Sequence, residues 1–287
     1  MSFQQFHPLT IIFYYVALLI MATLTKHPII ISLVLVAALV HHLMTAGSRS
    51  TWKTVVYDLF VMLLVLMISV AFKHNGVTPL FFWNDQAVTK EVIVWAICVG
   101  LLLMLLHLLY ENVLRHLTTD RLLFACRLLW PTLSMGLSML LRFIPTVQQH
   151  FRQMHQAQKT IGYYATASFF DKGVGLLKTA YESTVWAFDQ CFHKSDTMRA
   201  RGYHLQKKTV FHLYKWHVED GLIVAILSIA IALFLMNFKE LAFYYFPDTK
   251  AMTLPVQTIT IIIIVSWLPV LIDLKERLKW LYYSSKM

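Results

Sequence analysis

Residues 92–113 read VIVWAICVGLLLMLLHLLYENV, and the first 19 of them, through Tyr110, hold no Asp, Glu, Lys or Arg. A helix rising about 1.5 Å per residue needs roughly 20 apolar residues to cross a hydrocarbon core of about 30 Å. A buried strand would end after about 4–8 residues, so length alone decides for a helix. Working outward, five more stretches have nearly the same character: about 9–25, 28–46, 55–72, 221–238 and 256–273. None contains a dense charge cluster. The whole chain of 287 residues is 58% hydrophobic and only 14% charged, with a mean hydropathy of +0.60. A soluble domain carries about 25% charged residues. The fold class expected is therefore an all-α integral membrane protein with about six transmembrane helices and a set of amphipathic helices outside the bilayer. The first span has no Lys or Arg before it and ends in Thr25-Lys26-His27-Pro28 rather than in a small-residue cleavage site. It is expected to be a retained span in a chain starting near Met1.

Charge sets the expected orientation. Residues 115–215 hold 14 of the 25 Lys and Arg, against five acids. Positive residues near span ends stay in the cytoplasm, so this segment and both termini are expected inside, with 73–91 and 239–254 outside. Three blocks follow: an N-terminal membrane block of four spans (1–113), a cytoplasmic or interfacial block (114–218) and a C-terminal two-span block (219–287). Residues 122–144 are apolar but interrupted by Arg127, Pro131 and Arg142. Each buried charge costs about 2.5–3.5 kcal/mol at the bilayer centre. An interfacial or bundle-buried helix kinked at Pro131 is favoured over a seventh span, which stays open.

Two helices with one-face periodicity follow. Val147, Phe151, Met154, Gln158 and Ile161 recur at three- and four-residue spacing, as do Tyr181, Val185, Phe188, Phe192, Ser195 and Met198. Packing of these stripes on their own neighbours is the plain expectation. Both helices end alike, in Ala157-Gln158-Lys159-Thr160-Ile161-Gly162 and in Met198-Arg199-Ala200-Arg201-Gly202-Tyr203. Glycine supplies the left-handed residue that stops a helix, and cations suit the negative end of its dipole. Ala200 between two arginines permits close approach of a surface, while guanidinium groups offer planar donors to carboxylates. Two basic helix tips point to docking on a soluble partner.

Over residues 120–220 the chain resembles the T component, the transmembrane coupling subunit, of energy-coupling factor transporters. These are cobalt and vitamin importers of the ATP-binding cassette class. The resemblance rests on Leu141-Arg142-Phe143-Ile144-Pro145, on Ala157-Gln158-Lys159 with Gly162, on Asp196 through Tyr203, and on Asp220. The opening His7-Pro8-Leu9-Thr10 resembles the family's start. The resemblance implies that Arg199, Ala200, Arg201 and Gly202 form one ATPase-contacting tip, and Ala157, Gln158, Lys159 and Gly162 the other. At the first tip Lys159, Thr160 and Ile161 stand where many members read Arg-Ala-Arg, which implies two unequal contacts. Arg142 and Pro145 are expected to anchor the block, with an interfacial, snorkelling Arg142 as the other reading. The implied partners are two ABC-type ATPase subunits, a substrate-binding membrane S component and the lipid bilayer. No cofactor, metal site or catalytic residue is expected in this chain.

Rival classes find less support. A membrane enzyme would need clustered ligands or acids, but His150/His155 and His212/His217 are five apart, so each pair points to different faces of a helix. An autonomous ion-driven carrier would need acids within its spans, and Asp58 and Glu111 are expected at span ends. Gly173 to Thr179 looks like a phosphate loop, yet Leu177 replaces the Gly that must precede Lys178, and no strand leads into it. Nucleic-acid motifs do not accompany the basic charge, which positive-inside bias explains. Cys98, Cys126 and Cys191 make no paired pattern and are expected to be small buried residues.

Overall fold

The computed structural model describes residues 3–25, 27–83, 86–162, 169–203, 214–237, 243–246, 250–251 and 256–284. Lys207, Lys208, His212 and most of the turn 239–254 fall outside these. The chain forms two compact units, Met1–Leu122 with Tyr214–Met287, and Leu123–Leu213.

In the first unit a 3-10 turn, Phe3–Gln5, precedes α1 (Pro8–Leu24), α2 (Pro28–Ala46), α3 (Ser48–Phe72), α4 (Lys90–His116), α8 (Val218–Met236) and α9 (Val256–Ser284). All of these except α1 are long and apolar enough to cross a membrane, and α1, at 17 residues, is the short apolar helix of the set. The protein is thus an all-α, multi-pass membrane protein. Its hydrophobic core joins α1, α2, α4, α8 and α9 through Ile11, Tyr14, Val34, Leu105, Leu227 and Ile262. Two antiparallel β ribbons interrupt the helical plan, β1 (Pro79–Trp83) with β2 (Gln86–Thr89) and β3 (Phe243–Tyr244) with β4 (Lys250–Ala251). The segments 73–91 and 239–254 were expected only as connections.

The helices α3 and α9 outrun their expected spans, because hydropathy sees only the apolar part of a helix that continues past the hydrocarbon. This changes the reading of Asp58. It lies ten residues inside α3, only 3% exposed, with Oδ1 2.6 Å from Nδ1 of His107 on α4, instead of at a span end. The helix is apolar outward, at Phe60 and Leu63, and polar inward, at Thr51, Asp58 and Ser69, as expected where lipid is the outer solvent. At Gly100 of α4 a Cβ would come 2.7 Å from Cγ of Met62, so any side chain there would push Met62 of α3 aside.

Histidine begins three of the helices. Nδ1 of His7 and of His27 each accepts the N–H two residues on at 3.3 Å, with proline at the first helical position. His217 caps α8 in a capping box with Asp220. Asp220 does more than cap: it is fully buried, and Oδ1 also accepts from the His7 N–H at 2.9 Å and from the Thr10 hydroxyl at 3.1 Å. One carboxylate thereby joins the starts of α1 and α8, 213 residues apart.

Candidate functional site

The second unit contains most of α5 (Thr119–Leu129), all of α6 (Pro131–Thr160) and α7 (Phe169–Ala200). The expected kink at Pro131 is a full break. Trp130 is extended, at φ −142° and ψ 96°, because the proline ring disfavours helical geometry in the residue before it. Pro131 then opens α6 as its first residue, where its missing N–H costs nothing. From there α6 runs without interruption through Pro145, so the apolar segment and the first amphipathic helix are one helix of 30 residues. Pro145 leaves the Leu141 carbonyl without its usual helical donor, and the Thr146 hydroxyl bonds the next one, Arg142 O, at 3.2 Å.

Five contacts set the register of the hairpin formed by α6 and α7. Gln158 Nε2 donates to Glu182 Oε2 at 2.8 Å, while Gln158 Oε1 accepts from the Thr179 hydroxyl. The His150 ring stacks on Trp186 at 3.8 Å, the planes 2° apart. Lys194 Nζ sits 4.0 Å from the centre of the Phe143 ring, and the Tyr203 hydroxyl meets Met135 Sδ. Numbers rise along α6 as they fall along α7, so the helices form an antiparallel hairpin. The seam on α7 is small or polar, with Gly175, Thr179 and Ser183 buried at four-residue spacing, which lets two backbones come close.

The apolar stripe of α7 therefore faces away from α6. Tyr181, Val185, Phe188 and Phe192, expected to pack on neighbours, are exposed, and Phe170, Val174 and Leu177 extend the stripe towards the helix start. Phe170 is 78% and Tyr181 70% exposed. Val147, Phe151, Met154 and Gln158 of α6 are half-buried, whereas Ile161 at its end is exposed.

Each helix ends on a left-handed glycine, Gly162 at φ +84° and Gly202 at φ +70°. At the second tip Gly202 N–H bonds Arg199 O at 2.9 Å and Tyr203 N–H bonds Met198 O at 3.1 Å. This pair of bonds is the Schellman closure. At the first tip the Gly162 N–H bonds Lys159 O at 3.1 Å. Ala157, Lys159, Arg199, Ala200 and Arg201 are all exposed. Among the described residues no carboxylate pairs with Lys159, Arg199 or Arg201. The exception within the expected set is Gln158, whose side chain is committed to α7 and holds the hairpin together. Arg142 and Pro145 are exposed in the middle of α6 and take part in none of the five register contacts.

Tyr203 fixes the second tip beside Met135, and 25 residues of α6 separate Met135 from Thr160. At about 1.5 Å per residue the tips stand about 38 Å apart along the hairpin. The phosphate-loop look-alike, residues 173–179, lies wholly inside α7, and the Thr179 hydroxyl also bonds Gly175 O at 2.9 Å. A helix cannot wrap a phosphate with successive N–H groups. Among the described residues the three cysteines form no disulfide, and they are not uniformly buried: Cys98 is buried, Cys126 half-buried and Cys191 exposed. The register contacts were missed from sequence because each joins residues 21 to 68 apart, and no local pattern announces such a pairing. The four-residue spacing of Gly175, Thr179 and Ser183 was the available signal.

The sequence profile of the CbiQ family, described as cobalt transport protein, matches residues 4–213. It thus covers α1 through the hairpin and stops seven residues short of Asp220. No curated protein matches the chain. The matched region carries both glycine-closed tips and the hairpin that spaces them, and the chain belongs to the CbiQ family, the T-component family of energy-coupling factor transporters.

Proposed function

We propose that this chain is the transmembrane coupling subunit of an energy-coupling factor transporter. It links ATP hydrolysis by two soluble ABC-type ATPase subunits to a separate substrate-binding S component. The observation that carries this reading is the hairpin with two exposed cationic tips about 38 Å apart. A dimer of ATPases offers two equivalent grooves, and one stiff body with a tip at each end engages both. Closure of the dimer shifts the tips, and the helices α6 and α7 carry the shift along their length. The stripe from Phe170 to Phe192 supplies an apolar face about 33 Å long on α7 for the S component to cover. That partner selects the solute, a vitamin or micronutrient.

In this reading 1–113 and 219–287 are the membrane blocks and 114–218 the coupling block, with both termini and the coupling block in the cytoplasm. The tips contribute unequally. Arg199, Ala200, Arg201 and Gly202 give a bidentate donor beside a small residue, whereas Ala157, Lys159 and Gly162 give a single ammonium. Truncating one member of a desolvated charge pair costs about 2–5 kcal/mol. Arg201→Ala should leave membrane insertion intact but weaken ATPase pull-down and substrate uptake in the reconstituted complex. Arg201→Lys should rescue partly, since an ammonium cannot form the planar fork, and Lys159→Ala should cost less. Wild-type assembly and uptake by Arg201→Ala would refute the proposal.

A further inference from the structure

The helix α9 continues about three turns past the expected span 256–273. The helix has 29 residues, about 43 Å of length against about 30 Å of hydrocarbon. One face of this extension lines a cleft of about 660 Å³ with Lys275, Glu276, Lys279, Trp280 and Tyr283. Glu219, in the first turn of α8, Phe6 and Ile272 complete the wall. Two ammonium groups and two carboxylates are thus gathered in one cleft whose remaining lining is apolar or aromatic. Trp and Tyr prefer the headgroup level of a membrane, and Trp280 is 70% exposed there.

We propose that this cleft binds a zwitterionic phospholipid with a primary ammonium headgroup, phosphatidylethanolamine. The lysines hold the phosphate, and Glu219 and Glu276 receive the ammonium through charge-assisted hydrogen bonds. Trp280 and Tyr283 cover the glycerol, and Phe6 meets the start of an acyl chain. The balanced charge separates this ligand from its neighbours. An anionic headgroup meets the lysines but leaves two carboxylates facing it, and a choline headgroup has no N–H to give them.

The full chain, purified in detergent and offered an equimolar mixture of phosphatidylethanolamine, phosphatidylglycerol and phosphatidylcholine, is assayed by native mass spectrometry for retained lipid. Phosphatidylethanolamine is expected in about tenfold excess, the worth of one charge-assisted hydrogen bond. The double variant Glu219→Gln with Glu276→Gln should shift retention to phosphatidylglycerol. The pair Lys275→Ala with Lys279→Ala should abolish selection, while Lys53→Ala on α3 should change nothing. Soluble glycerophosphoethanolamine should not displace the lipid, because it lacks the acyl chain. Equal retention of the three lipids, retention of none, preference for phosphatidylglycerol by the wild type, displacement by the soluble headgroup, or variants that keep the wild-type selection would each overturn the assignment.

Discussion

Replacing Asp220 should loosen the junction between the starts of α1 and α8 more than replacing any one of its donors. The carboxylate is fully buried and accepts from His7 N–H, Thr10 Oγ1 and His217 N–H at 2.9, 3.1 and 3.0 Å. Asp220→Ala orphans all three donors. A buried donor without a partner costs about 1–3 kcal/mol, and losing an acid from the first turn of α8 adds about 0.3–1 kcal/mol. The Thr10 hydroxyl can rotate back to a carbonyl of its own helix, which leaves two backbone N–H groups as the main loss. The expected total is about 3–5 kcal/mol, similar to breaking other buried charged contacts. Asp220→Asn keeps an acceptor oxygen but points an NH₂ at a donor, and should cost about 1–3 kcal/mol. Thr10→Val removes one donor while the carboxylate keeps two, and should cost less than either. Unfolding in mixed micelles of mild detergent and SDS, followed by tryptophan fluorescence, ranks the three. Asp220→Ala within about 0.5 kcal/mol of wild type, or Thr10→Val as damaging as Asp220→Ala, would mean that this junction does not hold α1 to α8.

Gln158→Glu places a carboxylate against Glu182, 2.8 Å from the present amide nitrogen, and should open the tip end of the hairpin. Faster proteolysis near residues 160–170 is expected, and Glu182→Gln in the same chain should reverse it. Single cysteines introduced as Asp85→Cys and Lys172→Cys should react with an impermeant maleimide from opposite sides of the membrane, and labelling from one side would overturn the proposed orientation. Burial lowers the pKa of His7 and of His27, with the Asp220 charge opposing it at His7. Both rings are thus held neutral, as their Nδ1 acceptor roles at the helix starts require. A lowered pKa means the folded state binds fewer protons, so this stability is fully present above the unfolded value of about 6.5 and is lost as pH falls through the lower folded values. Thermal stability should drop as pH falls below about 6.5 in the wild type, and less in a His27→Asn chain, where asparagine caps without titrating.

Sequence alone determined the features that need only local physics. Nineteen uncharged residues from Val92 to Tyr110 cannot be satisfied outside a lipid core or a helix interior, so the spans were legible. Gly162 and Gly202 stop their helices because a left-handed residue is needed there, and the basic tips followed from position. The fate of the apolar stripe was decided only in three dimensions. Periodicity finds that Tyr181, Val185, Phe188 and Phe192 share a face, but not whether that face is covered, and the hairpin closes on the small residues Thr179 and Ser183 instead. The same holds for Asp58, which looked terminal until α3 was seen to begin at Ser48, and whose partner His107 lies 49 residues away. Asp220 reads as a helix start by its place before a span, yet only the bundle brings it to His7 and Thr10. Gln158, placed by its motif at a tip, is turned by the register of α6 on α7 into the bond that holds the two tips on one body. Local patterns fix which residues are helical and where helices stop, because those energies depend on near neighbours. Which buried polar group meets which depends on how the helices pack, and packing sums contacts between residues far apart in the chain.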